Sequence, residues 1–590
     1  MKELKTLNKF FYKYRFRLLF GLIFVVLSNI FAIYPAQFVR ESFDLLKNQL
    51  FDLKVGGYNR HHQIIKTVAW YGFLILVFAL LKGLFMYLMR QSIIVMSRLI
   101  EGDLKDEIYD HYQQMDVTFY KRNKTGDLMA RISEDVSRVR MYIGPAIMYI
   151  ANLVSTFVLV IITMINVNPK LTLYVLTPLP FLSFVIYKVS SSINKKSEQL
   201  QQNLSTISSF AQESFAGIRI IKSFAIENKW TGKFNDVSEQ YRLKAMELNK
   251  TDSFFTPAVA SIVGLSTIII VYFGGKAVES AEVTTGNIAE FIIYVNLLIW
   301  PVTSLGWVSS LIQRAAASQK RINEFLNTKS EITYPTHHQF ELKGGIEFKN
   351  VSFTYPDTGI EALKNISFKL KPGESIGVIG KTGAGKSTLS ALIFRFYDVT
   401  NGEVLIDGVN VKNINLGHYR SHSALVPQDP FLFSDTIYNN ITFGVKNTDI
   451  EKVKQICKSV AVLENIESFP LKFDTPVGER GVTLSGGQKQ RITIARALIK
   501  NPRLLVLDDC LSAVDAETES VILSGFKKMM QNRSTLLISH RIATVKDASQ
   551  IIVLEEGRVV EQGTHDELIN QKGYYFALNE KQKLQSVNKT

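Results

Sequence analysis

The sequence predicts a six-helix, all-α transmembrane domain followed by an α/β domain built around a phosphate-binding loop. Three observations carry this reading. Apolar runs long enough to cross a bilayer crowd residues 1–315. A glycine-rich loop, Gly380-Lys381-Thr382-Gly383-Ala384-Gly385-Lys386-Ser387, follows an apolar strand-like run. A second such run, Leu504-Leu505-Val506-Leu507, ends in the acidic pair Asp508-Asp509.

At 590 residues the chain exceeds what one core holds, so two or more domains are expected. A hydrophobic content of 46% and a mean hydropathy of +0.09 are high for a soluble protein. The net charge of +15 is explained by basic residues in membrane-facing loops. No RNA-binding module or C-x-x-C zinc pair is visible, so nucleic acid is not an expected partner. Two cysteines, Cys457 and Cys510, give no disulfide framework and fit a reducing cytosol. No small-residue cleavage site follows the basic start, Met1 to Arg17, so the first apolar run reads as a retained membrane helix.

A span needs about 20 apolar residues. Leu18–Phe38, Thr67–Met89, Met141–Pro169, Leu171–Tyr187, Ser253–Gly275 and Phe291–Gln313 meet this in order, with a tight Asn168-Pro169 turn between the third and fourth. An even count puts both termini on one side, and Lys2, Lys5, Lys9, Lys13, Arg15 and Arg17 mark that side as cytoplasmic. About fifty residues of charged, helical sequence join the second and third spans, and a similar stretch joins the fourth and fifth. Two helical hairpins reaching into the cytoplasm would give this spacing. Their tips are expected at Phe119–Asp127 and Ser208–Glu227. Lys82 lies well inside a span and either snorkels toward the inner headgroups or lines a cavity that selects anionic substrates. Pro301, with Asn296, Thr303, Ser304 and Gln313, gives the sixth span a polar, kinkable face that serves packing or a substrate path.

The domains follow: 1–326 transmembrane, 327–343 linker, 344–580 nucleotide-binding, 581–590 polar tail. Gly345–Tyr355 alternates like a strand. Ser375–Ile379 is a buried strand feeding the glycine loop, and Ser387–Tyr397 continues as helix, the context a true phosphate loop requires. The glycines let backbone N–H groups turn inward around phosphates. Lys386 supplies positive charge, and the Ser387 hydroxyl suits Mg²⁺. Asp508, at a strand end, is the matching Mg²⁺ carboxylate, and the next residue is normally the base or water-positioning group. Leu536-Leu537-Ile538-Ser539-His540 reads as another strand, ending in a histidine able to bond the γ-phosphate.

These residues resemble those of the ATP-binding cassette (ABC) exporters, specifically half-transporters with one membrane domain fused to one nucleotide-binding domain. The resemblance covers essentially the whole chain. Leu484-Ser485-Gly486-Gly487-Gln488 resembles the family's signature motif. Tyr355 resembles the aromatic that stacks on adenine. Gln428 resembles the glutamine linking nucleotide, metal and membrane domain, Asp515 the aspartate-loop residue, and His540 the switch histidine. Thr475-Pro476-Val477-Gly478-Glu479-Arg480-Gly481 resembles the loop before the signature. Thr125–Leu128 and Gly217–Phe224 resemble the hairpins it meets. The resemblance implies an ATP site on Tyr355, Gly380, Gly383, Gly385, Lys386, Ser387 and Thr388, with Mg²⁺ on Ser387, Gln428 and Asp508. It implies a catalytic set of Asp509, His540 and Gln428, and a dimer in which Ser485, Gly486, Gly487, Gln488 and Asp515 of one subunit close the site of the other.

One position departs from the family pattern. Asp509 stands where glutamate is usual, and its carboxylate falls about 1–1.5 Å short, a displacement that can cost about a hundredfold in rate. In the family, heterodimers pair a subunit substituted here with a glutamate-bearing one. The expectation is therefore one subunit of a dimeric exporter in the bacterial inner (plasma) membrane. It uses ATP to move drug-like or lipid amphiphiles outward while its local ATP site turns over slowly. A peptide-processing exporter is not expected, since no protease-like segment stands before the first span. The alternatives are a homodimeric flippase or drug pump with a working Asp509, and an ATP-gated regulator. The six spans argue against a soluble cassette ATPase.

Overall fold

The computed structural model describes residues 2–50, 58–333, 341–446, 448–478, 481, 484–511, 519, 521–524 and 533–587. The chain divides into two compact units. One comprises 1–113 with 125–328, the other 114–124 with 329–590. The short segment 114–124, part of the first expected hairpin tip, thus groups with the C-terminal unit.

The first unit is helical. Among the described residues, five helices are long and apolar enough to cross a membrane: Arg15–Lys47, Gln63–Gln114, Thr125–Val167, Glu227–Glu279 and Thr285–Leu326. The expected fourth span, 171–187, is not one helix but falls on Pro169–Leu176 and Pro178–Ala216, with Thr177 between them. Pro178 and Pro180 carry no amide hydrogen, so two backbone bonds of a continuous helix cannot form there. The expected Asn-Pro turn is present. The Asn168 side chain caps the amide of Leu171 at 2.9 Å, with Pro169 at the first helical position.

Apolar side chains such as Ile33, Met164, Leu171, Ile270, Phe291 and Leu298 form one core of this unit. Its buried charges are partnered. Fully buried Glu290 meets Arg40 at 3.4 Å, the Tyr294 hydroxyl at 2.7 Å and the Asn287 amide at 3.1 Å. Buried Asp135 accepts from the Ser318 hydroxyl at 2.7 Å and pairs with Arg321 at 3.3 Å.

The second unit holds two sheets. We number its strands β1 (Ile346–Thr354), β2 (Glu361–Leu370), β3 (Ser375–Gly380), β4 (Asn401–Ile406), β5 (Val409–Asn410), β6 (Ser423–Val426), β7 (Leu504–Asp508), β8 (Ser534–Ser539), β9 (Gln550–Glu555) and β10 (Arg558–Gly563). An antiparallel sheet has the order β2-β1-β4-β5, and a larger sheet the order β10-β9-β3-β8-β7-β6. In the larger sheet β9, β3, β8, β7 and β6 run parallel. Every residue of β7 and β8 is buried, as a parallel sheet covered on both faces requires. Cys457 and Cys510 are free and buried.

The helix after the phosphate loop spans Lys386–Ile393, shorter than the expected run to Tyr397. Arg395 adopts a left-handed φ of 49°, and the Phe396 amide returns to the Ala391 carbonyl at 2.8 Å. This is a Schellman-type stop made without glycine.

Candidate functional site

The parallel strands deliver their C-terminal ends to one edge of the sheet, where ligands of open α/β folds bind. β3 ends at Gly380, β7 at Asp508, and β8 stops one residue before His540. The register pairs Ile379 with Ser539 and Asp508 with Ile538, so the three ends lie side by side.

The glycines of the loop do different work. Gly385 has φ +95°, and a Cβ there would lie 2.5 Å from the Ala362 carbonyl oxygen, so no other residue fits. Gly380 is held to glycine by packing, since its Cβ would fall 2.2 Å from the Leu554 carbonyl oxygen. Lys386 donates from Nζ to the carbonyls of Gly380 and Lys381, both at 2.8 Å. Burial lowers the Lys386 pKa, while Asp509 and Asp508 act to raise it.

Asp508 is 4% exposed. The Ser387 hydroxyl donates to one of its oxygens and the Ser390 hydroxyl to the other, each at 3.0 Å. Burial pushes this carboxyl above the usual range, and the charge of Asp509 adds to the push. The two hydroxyls and Lys386 oppose it. Asp509 turns away from the strand through a left-handed φ of 46°, and its amide donates to the Ile538 carbonyl at 2.8 Å. Its carboxylate oxygens lie 2.8 and 3.1 Å from Nδ1 of His540.

Tyr355 stands just past β1. Its hydroxyl bonds the Thr388 hydroxyl at 3.0 Å, and Phe353 packs edge-on against its ring at 4.9 Å. The ammonium of Lys121, from the segment that groups with this unit, lies 5.1 Å from the ring centres of both Tyr355 and Tyr397.

A cavity of about 560 Å³ joins these groups. Of the residues expected at the site, Tyr355, Gly383, Gly385, Lys386, Ser387, Thr388, Gln428, Asp508, Asp509 and His540 line it together. Gly380 does not line it and contributes through packing and its carbonyl. Ser485, Gly486, Gly487 and Gln488 lie apart from it at the start of the helix Gly486–Ile499. There Ser485 and Gln488 form a reciprocal capping box. The Ser485 amide donates to the Gln488 side chain at 2.9 Å, and the Gln488 amide to the Ser485 hydroxyl at 3.3 Å. Ser485 and Gly486 are exposed, leaving this helix start open. Asp515 lies outside the described residues, as do Glu479 and Arg480 of the loop before the signature.

Sequence reasoning missed several groups. Ala362, Lys364, Glu556 and Gly557 also line the cavity. Gly557 has φ +81°, and its Cβ would meet the Ala362 carbonyl oxygen at 2.8 Å. The Glu556-Gly557 turn between two apolar strands was the available signal. Ser390 carried one as well, since it stands three residues, about one helical turn, beyond Ser387 and shares its face.

Comparison with known proteins gives the family of the chain. Residues 11–302 match the ABC transporter transmembrane region family, and residues 363–512 match the ABC transporter family. The chain is 34% identical to the multidrug resistance-like ATP-binding protein MdlA of Escherichia coli over 90% of each chain. It is 34% identical to the ATP-dependent lipid A-core flippase of Pseudomonas fluorescens over 88% of this chain and 86% of the flippase. A solved structure of a bacterial Atm1-family ABC exporter with ATP bound matches with a TM-score of 0.78 at 26% identity, over 96% of this chain and 98% of that one. A membrane domain fused to an ATP-binding domain, with an exporter's fold, makes this chain a member of the ABC transporters, a multi-pass membrane ATPase.

Proposed function

We propose that the chain is one subunit of a dimeric exporter that moves hydrophobic or amphipathic compounds, drug-like or lipid, outward across the bacterial inner membrane, with both termini cytoplasmic. In this reading its own ATP site turns over slowly and a glutamate-bearing partner subunit does most of the hydrolysis. The carrying observation is the engagement of Asp509. Both oxygens of this short carboxylate are within 3.1 Å of one His540 nitrogen. This supports a carboxylate held back from where a longer glutamate would activate water.

The roles follow from the cavity. Tyr355 stacks on the base. The amides of Gly383 and Gly385, with Lys386, hold the phosphates, and Thr388 braces Tyr355 through its hydroxyl. Ser387, Asp508 and Gln428 are the residues that would hold Mg²⁺, which neutralises phosphate charge when bound. The fit rests on Asp508, a buried carboxylate beside a second one, whose ionised form a divalent cation stabilises. The open helix start at Ser485–Gln488, together with Asp515, completes the partner's site. Closing on ATP and reopening after hydrolysis moves the hairpins and so the membrane domain.

A homodimer with a working Asp509 is the second reading. It is favoured by the presence of phosphate loop, Mg²⁺ carboxylate and signature helix on one chain. The ATPase rate of the chain purified alone in lipid, beside Asp509→Glu, decides between them. A near-inactive wild type that gains activity in the variant supports the slow site. A robust wild type supports the homodimer.

A further inference from the structure

The helical unit contains a cavity of about 410 Å³ whose wall carries two cations, Lys82 and Arg90. Both come from the helix Tyr58–Gln114, eight residues apart. That spacing sets their backbones about 12 Å apart along the axis and within about 80° of each other around it. No carboxylate lines the cavity. Among the described residues, neither side chain forms an ion pair or hydrogen bond. Elsewhere in the same unit, buried Glu290 and Asp135 are each met by an arginine and by neutral donors. Lys82 is half-buried and Arg90 exposed, and among the described residues neither has an anionic partner.

The rest of the wall suits an amphiphile. Met86, Met89, Met148 and Trp300 supply adaptable apolar surface. Asn29 and Asn152 satisfy each other at 3.1 Å and add no charge. Snorkelling accounts for one cation on a lipid-facing helix surface. It does not account for two cations on the wall of one polar-and-apolar cavity. An ionisable residue within a span, unpaired and facing a cavity, marks a ligand path.

We infer that this cavity recognises amphiphiles with an anionic head, phosphate or carboxylate, and an apolar body, the head seated between Lys82 and Arg90. The inference rests on the export reading and narrows its substrate class. The test uses the full chain in nanodiscs of uncharged lipid, with its partner subunit where the two co-purify. Tryptophan fluorescence, which Trp300 brings to the cavity wall, is titrated without ATP. The probes are dodecyl phosphate, dodecyltrimethylammonium and inorganic phosphate.

Dodecyl phosphate should bind at least about tenfold tighter than dodecyltrimethylammonium, and inorganic phosphate should not saturate. Lys82→Met and Arg90→Met should each raise the half-saturating dodecyl phosphate concentration about fivefold or more, while Lys82→Arg retains binding and so controls for folding. Equal or reversed preference between the two head groups would overturn the inference, as would variants that bind dodecyl phosphate like wild type. Saturation by inorganic phosphate at the same concentration would reduce the site to a free-anion site and overturn it too. The assay needs no turnover. A chain that pumps cationic dyes and fails this assay keeps the export reading and loses the anionic one.

Discussion

Nδ1 of His540 lies 2.8 Å from one carboxylate oxygen of Asp509 and 3.1 Å from the other. The ring N–H donates and the carboxylate accepts, so each fixes the other's orientation. The backbone adds a second constraint, since the Asp509 amide is tied to Ile538 and its φ is left-handed. The carboxylate therefore cannot advance into the cavity without leaving His540. In Asp509→Glu the extra methylene carries the carboxylate forward, and ATP turnover should rise about a hundredfold. That gain should depend on the histidine. Adding His540→Ala to Asp509→Glu should return the rate at least tenfold toward wild type, read as phosphate release in nanodiscs. A double variant as fast as Asp509→Glu alone would show that the contact has no part in turnover.

Lys121 gives a second prediction. Its ammonium lies over two rings, Tyr355 and Tyr397, and Tyr355 is the proposed base platform. A partly desolvated cation–π contact contributes about 1 kcal/mol. Lys121→Ala should raise hydrogen exchange over 117–122 and change the affinity for a fluorescent ATP analogue by about two- to fivefold. Lys121→Arg should retain most of the contact. No change in either exchange or affinity would show that the ring contact is incidental.

How much of this was legible in the sequence depends on how local each signal is. The phosphate loop, the strand before it and the acidic strand end are contiguous patterns, and the cavity gathers Gly383, Gly385, Lys386, Ser387, Asp508 and Asp509 from them. Long-range placements were not legible. Gly380 read as a ligand glycine, yet the Leu554 carbonyl fixes it, and nothing near Gly380 in sequence points to Leu554. Lys121 sits beside Tyr355 and Tyr397 from more than two hundred residues away. Two boundaries were misread, the first although its cause was visible. Pro178 and Pro180 break the fourth span, but their apolar neighbours kept the run continuous by hydropathy. The helix from Lys386 stops at Ile393 because Arg395 takes a conformation usually left to glycine, which composition does not announce.

Asp508 sets stability against function. Its neutral form is favoured by burial and by the charge of Asp509 beside it. Asp508→Asn removes that unfavourable charge. Its amide can still accept from one serine hydroxyl and donate to the other, Ser387 or Ser390. The variant should melt a few degrees higher than wild type without nucleotide and should lose the further rise that Mg²⁺-ATP gives wild type. Melting in nanodiscs with and without Mg²⁺-ATP measures both. A variant that keeps the Mg²⁺-ATP shift would remove Asp508 from the metal site.

Asp116 anchors the segment that carries Lys121. One of its oxygens caps the helix Val117–Arg122 by accepting from the Phe119 amide at 2.9 Å. The other accepts from the Glu331 amide at 2.6 Å and the Ser330 hydroxyl at 3.0 Å. Arg122 returns the tie to Glu331 at 2.6 Å. Burial alone would raise the Asp116 pKa. The amides of Phe119 and Glu331 and the Ser330 hydroxyl outweigh it and hold the carboxyl below its ordinary range. A depressed carboxyl contributes stability above its unfolded value of about 3.9, lost as pH falls through the lower folded value. Protection of the 117–122 amides should therefore stay flat from pH 8 to pH 5 and fall only below about pH 4. Asp116→Ala removes the cap and should cost about 1–2 kcal/mol locally, raising exchange at neutral pH across this helix and residues 330–332. Asp116→Asn, which keeps acceptor capacity on one side only, should fall between the two. If Asp116→Ala exchanges like wild type, the segment is held by Arg122–Glu331 and the ring contacts of Lys121, and the carboxylate is dispensable.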